Sequence, residues 1–149
     1  MNTPAKGTIH VLLVDDNPGD VRLIQESIAD SKGQTCLHVV ANGEQASAFL
    51  RRQAAFADAV RPHLILLDLN LPRMDGRQVL AEVRTDPALA AIPVVVLTSS
   101  AAQTDIRRCY ERNANAYVTK RGNLAEFTRV VQLIEDFWLS TAKLPRVTR

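Results

Sequence analysis

Several short stretches of this chain are apolar at almost every position and then stop at a polar residue. Residues 9–14 are broken only by His10 and end at Asp15-Asp16, while Leu64-Ile65-Leu66-Leu67 ends at Asp68. Residues 92–97, with Pro93 near their start, end at Thr98, and residues 116–118 are followed closely by Lys120. A further short run, 37–40, leads into Asn42-Gly43. Short runs that are apolar without alternation read as strands covered on both faces. A chain that makes five of them must cover both sides of the sheet with the segments between.

Those segments carry helical patterns. From Val21, apolar residues recur at Leu23, Ile24 and Ile28, and comparable segments lie at about 44–53, 77–84, 104–112 and 123–139. Pro18 suits the first turn of the first helix, where its missing N–H would have had no partner. Asn123, with Glu126 three residues on, predicts a capping box for the last. Residues 54–62 and 71–76 read as loops. Strands alternating with helices give a parallel sheet joined by right-handed crossovers. The size fits a flavodoxin-like doubly wound α/β fold, five strands in the order 2-1-3-4-5 with five helices. The 149 residues suit one domain over 1–149, with a core of about 9–139 and a short C-terminal extension, 140–149.

Charge excludes some functions. The net charge is +2 with no basic run, which offers nucleic acid no electrostatic footprint. No apolar stretch reaches the length of a membrane span, and residues 1–8 lack the apolar core of a signal peptide. A cytoplasmic protein without DNA or membrane partners is expected. Cys36 and Cys109 sit in apolar stretches without metal-ligand spacing, which predicts buried free thiols. His10, His38 and His63 lie in or beside strands and read as structural. Arg51-Arg52 and Arg107-Arg108 read as solvated helix faces.

In an open parallel sheet, ligands bind beyond the carboxyl ends of the strands, near the switch point between strands 1 and 3. Asp15, Asp16, Asp68, Thr98 and Lys120 all fall there. A loop aspartate alone would be a turn residue. A turn has no reason to gather three Asp, a Thr and a Lys on one edge. Three neighbouring carboxylates repel, and a hard divalent cation with remaining waters, Mg²⁺ rather than Ca²⁺, resolves that conflict. Lys120 adds a positive charge and Thr98 a hydroxyl donor. Positioning and charge neutralisation are what phosphoryl transfer requires, with the Asp68 carboxylate as nucleophile.

Four segments carry a family resemblance: Leu12-Leu13-Val14-Asp15-Asp16-Asn17, Leu66-Leu67-Asp68-Leu69-Asn70-Leu71-Pro72, Val96-Leu97-Thr98-Ser99-Ser100 and Tyr117-Val118-Thr119-Lys120. Together they resemble the signature segments of response-regulator receiver domains, over about residues 9–139. The resemblance implies Asp68 as phosphoacceptor, with Thr98 and Lys120 assisting. It implies Mg²⁺ bound by Asp16, Asp68 and the Asn70 backbone carbonyl, with Asp15 acting through water. Thr98 and Tyr117 would form a switch pair. It further implies a sensor histidine kinase as partner, and its own phosphoryl transfer and dephosphorylation as the only chemistry, rather than turnover as an enzyme. Asp15-Asp16-Asn17-Pro18-Gly19-Asp20 and Phe137-Trp138 are similar to the small receivers paired with phytochromes, so a bacteriophytochrome is the kinase this narrower likeness suggests. One position departs from the pattern: receivers usually follow the lysine with a cis proline, and here Arg121 follows Lys120. A non-proline cis bond costs roughly 3–4 kcal/mol, so a trans peptide is expected.

Two other functions fit the fold less well. An FMN-binding flavodoxin-like protein needs a phosphate loop after strand 1, where Asp15-Asp16-Asn17 would repel a phosphate. A phosphohydrolase with an Asp nucleophile needs carboxylates two apart on one strand, and the pair here is adjacent. On the final helix, Phe127, Val130, Val131, Ile134, Phe137 and Trp138 exceed one narrow stripe, and adjacent Phe137 and Trp138 cannot share one core. Either the tail folds back over the excess or a second subunit covers it. The expectation is a homodimer through helices 4 and 5 and the C-terminal extension, with output by protein contact or by passing the phosphoryl group along a relay, and no effector domain.

Overall fold

The computed structural model describes residues 8–29, 34–120 and 122–147. Strands and helices alternate: β1 (Ile9–Val14), α1 (Pro18–Ala29), β2 (Thr35–Val40), α2 (Gly43–Arg51), β3 (Leu64–Leu67), α3 (Gly76–Thr85), β4 (Val94–Thr98), α4 (Gln103–Glu111), β5 (Ala116–Thr119) and α5 (Leu124–Ile134). The strands are parallel in the order β2-β1-β3-β4-β5, as the apolar runs and crossover rule predict. No described helix is long and apolar enough to cross a membrane.

Alternate strand residues feed two cores. Leu12, Val14, Ile65, Leu67, Val94 and Val96 pack with Phe49, Leu80 and Val83 under α2 and α3. Val11, Leu13, Leu64, Leu66, Val95 and Leu97 pack with Ile24, Phe127 and Val131 under α1 and α5. Burial on both faces is why β3 is apolar throughout and β4 is apolar up to its last residue, Thr98.

The boundaries shift in informative places. Pro18 opens α1 as expected, whereas β4 begins at Val94, two residues later than the apolar run. Pro93 lacks the N–H a ladder uses, although its carbonyl accepts from Ile65. β2 begins at Thr35, two residues early, because its register with β1 runs back to Ile9. It is an edge strand, so Cys36 is exposed and the expectation of burial fails there; Cys109 on α4 is buried as expected. Asn123 caps α5 by accepting from the Glu126 N–H.

The end of the chain covers part of the excess of apolar residues on the last helix. α5 stops at Ile134, and Glu135–Thr141 continue as a π-helix, whose wider winding sends Trp138 toward the second core and leaves Phe137 half exposed. Leu144 then folds back onto the same core. Leu124, Leu133 and Phe137 remain exposed.

Candidate functional site

The sheet places the strand-end residues by continuing its ladders past the strands. The Asp15 N–H donates to Val40 O at 3.1 Å, the Asp68 N–H to Val14 O at 3.0 Å and the Lys120 N–H to Thr98 O at 2.7 Å. These residues are anchored to neighbouring strands although none belongs to one. The loop after Asp68 is fixed by α3, whose N-terminus is capped by Asp75 and Gln78 in a reciprocal box. Gly76 lies so close to that loop that a Cβ would sit 2.2 Å from the Asp68 carbonyl oxygen, so only glycine fits.

Lys120 is the centre of charge. Its Nζ is 2.9 Å from Asp15 Oδ2, 2.9 Å from Asp20 Oδ2 and 3.0 Å from Asp68 Oδ2. Burial alone would lower the lysine pKa, but the carboxylates around it outweigh that and raise it well above its ordinary value. Burial raises the Asp15 pKa, opposed by hydrogen bonds from Lys120 and the Asn17 N–H. Asp68 accepts from the Asn70 N–H through its other oxygen at 3.2 Å. Asp15 and Asp68 are buried, whereas Asp16 is exposed.

The sequence residues therefore converge. One carboxylate oxygen from each of Asp15, Asp16 and Asp68 lies within 4.8 Å of the others, a hard, oxygen-only donor set suited to Mg²⁺. Thr98 is fully buried, and its Oγ1 has no hydrogen-bond partner. A buried hydroxyl costs free energy unless it is satisfied, so this donor suits an incoming oxygen. Asp20 escaped the sequence reading. It lies inside the first turn of α1 rather than after a strand, and only its place in the segment 15–20 drew notice.

Tyr117 is partly buried against the first core and donates to the Ser100 carbonyl at 2.8 Å. Its own N–H donates to the Tyr110 hydroxyl at 3.1 Å. Ser100 Oγ in turn donates to Asp105, which pairs with Arg77 at 2.7 Å. The loop after β4 is thus tied to β5, α4 and α3. The Lys120–Arg121 peptide lies outside the described residues, since Arg121 is not among them.

The response regulator receiver domain family model matches residues 11–132. The chain belongs to the response regulator receiver domain family. This receiver is 47% identical over 135 residues to response regulator Rcp1 of Synechocystis sp. (strain ATCC 27184 / PCC 6803 / Kazusa), covering 91% of this chain and 92% of that one. The Mn²⁺-bound form of Rcp1 superposes with a TM-score of 0.91 at 46% identity, over 93% of this chain and 99% of the other. The phosphorylated cyanobacterial phytochrome response regulator RcpA gives a TM-score of 0.91 at 49% identity, with the same coverage. The receiver domain of the sensor histidine kinase PA1611 from Pseudomonas aeruginosa, solved with magnesium in its active-site cleft, gives 0.67 at 29% identity over 90% and 99%. The receiver is a signalling protein related to phytochrome response regulators, which sets aside the FMN-binding and phosphohydrolase readings.

Proposed function

We propose that Asp68 of this receiver accepts a phosphoryl group from the phosphohistidine of a sensor histidine kinase. The observation that carries this reading is the placement of Lys120 between Asp15 and Asp68, with the unpartnered Thr98 hydroxyl at the end of the adjoining strand β4. An Asp68 carboxylate oxygen forms the new P–O bond as the P–N bond to the kinase histidine breaks, and the electron pair leaves with the imidazole. Lys120 then holds a phosphoryl oxygen by charge, and Thr98 donates its hydroxyl to another. Asp15, Asp16 and Asp68, with the Asn70 carbonyl, would hold Mg²⁺, Asp15 through water. The ion supplies charge neutralisation for the carboxylates and the incoming group.

Thr98 and Tyr117 act as the switch pair in this reading. Drawing the Thr98 hydroxyl to the phosphoryl group moves the end of β4, and the Tyr117–Ser100 bond carries that movement to α4 and β5. A phytochrome-type kinase in the cytoplasm is the partner proposed, on the likeness to Rcp1 and RcpA. A homodimer through α4, α5 and the C-terminal extension is supported by the exposed Tyr110, Leu124, Leu133 and Phe137. Sedimentation as a monomer at micromolar concentration, with and without a phosphate analogue, would exclude it.

The decisive experiment is incubation with Mg²⁺ and a small acyl phosphate, followed by intact mass measurement. A phosphate-sized gain that Asp68→Asn abolishes is expected. An undiminished gain in the mutant would overturn the assignment.

A further inference from the structure

At the opposite end of the sheet from Asp68, β1 and β2 bring together a second group of chemically active side chains. The parallel register sets His10 beside Cys36 and Leu12 beside His38. Side chains alternate along strands, so His10, Cys36 and His38 share the face that Leu12 presents to α2. The His38 ring lies 5.5 Å from that of Phe49 on this face. His10 Nδ1 and His38 Nε2 are 3.1 Å apart, and Cys36 Sγ lies with them inside a 4.8 Å envelope. His63 supports the group from the far side. It accepts the His10 N–H at 3.0 Å, and its ring stacks on that of His10 at 5.9 Å and 11°.

We propose that His10, Cys36 and His38 form a binding site for a borderline-soft divalent cation, Zn²⁺ above all, with water in the fourth position. Tetrahedral zinc with Zn–N bonds of about 2.0–2.1 Å sets its two nitrogens about 3.3 Å apart, and a thiolate about 3.6 Å from each. The two imidazoles already stand at 3.1 Å. Cys36 is exposed on an edge strand, so rotation about its side chain closes the remaining gap without disturbing a core. Two imidazoles and a thiolate select zinc-like ions over magnesium, the reverse of the carboxylate group at the other end. The thiol releases one proton to solvent on binding. The proton shared between the imidazoles moves to the outer nitrogen of its own ring, so both facing lone pairs reach the metal. His63 fixes the His10 backbone and acts as a positioning residue.

The test uses the full chain, freed of metal and kept in excess Mg²⁺ so that the aspartates are occupied. One equivalent of Zn²⁺ is added, and alkylation of Cys36 is followed by mass spectrometry. Protection of at least about tenfold is expected, since even support residues around a metal change affinity that much. His10→Gln and His38→Gln should each remove it, with circular dichroism confirming that the variants fold. Replacing Zn²⁺ by Co²⁺ in the unaltered chain should give a thiolate-to-cobalt charge-transfer band that Cys36→Ser eliminates. An unprotected Cys36, protection that survives both histidine changes, or no cobalt band would each overturn the site.

Discussion

Asp20 Oδ2 lies 2.9 Å from Lys120 Nζ, the same distance at which Asp15 Oδ2 holds it. One ammonium group thus serves three acidic side chains, with Asp68 the third. Lys120 is consequently the internal counter-ion of the site, besides the phosphoryl ligand proposed above. Lys120→Met leaves the buried Asp15 unpaired, and removing one partner of a buried ion pair costs about 3 kcal/mol or more. The variant should unfold at lower urea concentration in EDTA and recover much of that loss with Mg²⁺, which replaces the missing charge. It should bind Mg²⁺ more tightly than the parent and accept phosphoryl groups more slowly. Equal loss with and without Mg²⁺ would show that the lysine is not neutralising the carboxylates proposed to hold the ion.

Thr98 separates stability from function. Its buried hydroxyl has no partner, so Thr98→Val removes an unsatisfied group with little change of shape. The variant should be as stable as the parent or about 1 kcal/mol more so. If the hydroxyl is held for a phosphoryl oxygen, the same change should weaken the response of the β4–α4 loop to phosphorylation. Hydrogen exchange of the amides around Ser100, with and without acyl phosphate, reads that response. Marked destabilisation would mean that the hydroxyl is already satisfied in the resting protein.

Asp105 joins the loop after β4 to α3 through Ser100 and Arg77. The Ser100 hydroxyl, then the Arg77 guanidinium, hold its carboxyl below the ordinary value of 3.8. Above that value the carboxylate is ionised in both the folded and unfolded chains, and its contribution to stability is complete. As pH falls below it, the unfolded chain takes up the proton first, so the contribution shrinks until the folded carboxyl protonates too. Between about pH 4 and pH 2, the urea midpoint should fall more steeply for the parent than for Asp105→Asn. Parallel curves would remove Asp105 from the acid response.

The fold, and the meeting of Asp15, Asp16, Asp68 and Lys120 at one edge of it, were legible for one physical reason. A strand buried on both faces must be apolar, so the polar residue that ends it stands out, as Asp68 does after Leu64–Leu67. Asp20 gave no such signal, because a helix turn tolerates an acidic residue for many reasons. The grouping of His10, Cys36 and His38 was invisible for another. His10 and His38 are 28 positions apart, and only the register of β1 on β2 makes them neighbours. Cys36 misled because an apolar flank suggests burial, whereas the edge position of β2 decides exposure. The break between α5 and the π-helix had no sequence signal, since Phe137 and Trp138 fit either winding.

Gly76 tests whether the Asp68 loop is held as tightly as its backbone contacts suggest. A Cβ at this position would meet Asp68 O at 2.2 Å and Leu69 Cα at 2.8 Å, both main-chain atoms that cannot rotate aside. Gly76→Ala must therefore displace either the start of α3 or the segment carrying Asp68. Overpacking of this kind costs about 1–3 kcal/mol. The displaced carboxylate would also lose its alignment with Lys120, so phosphoryl acceptance should slow several-fold beyond any loss of folded protein. Measuring the rate at a temperature where the variant remains fully folded isolates that second effect. Parent-like rates there would mean that α3 moves and the Asp68 loop does not.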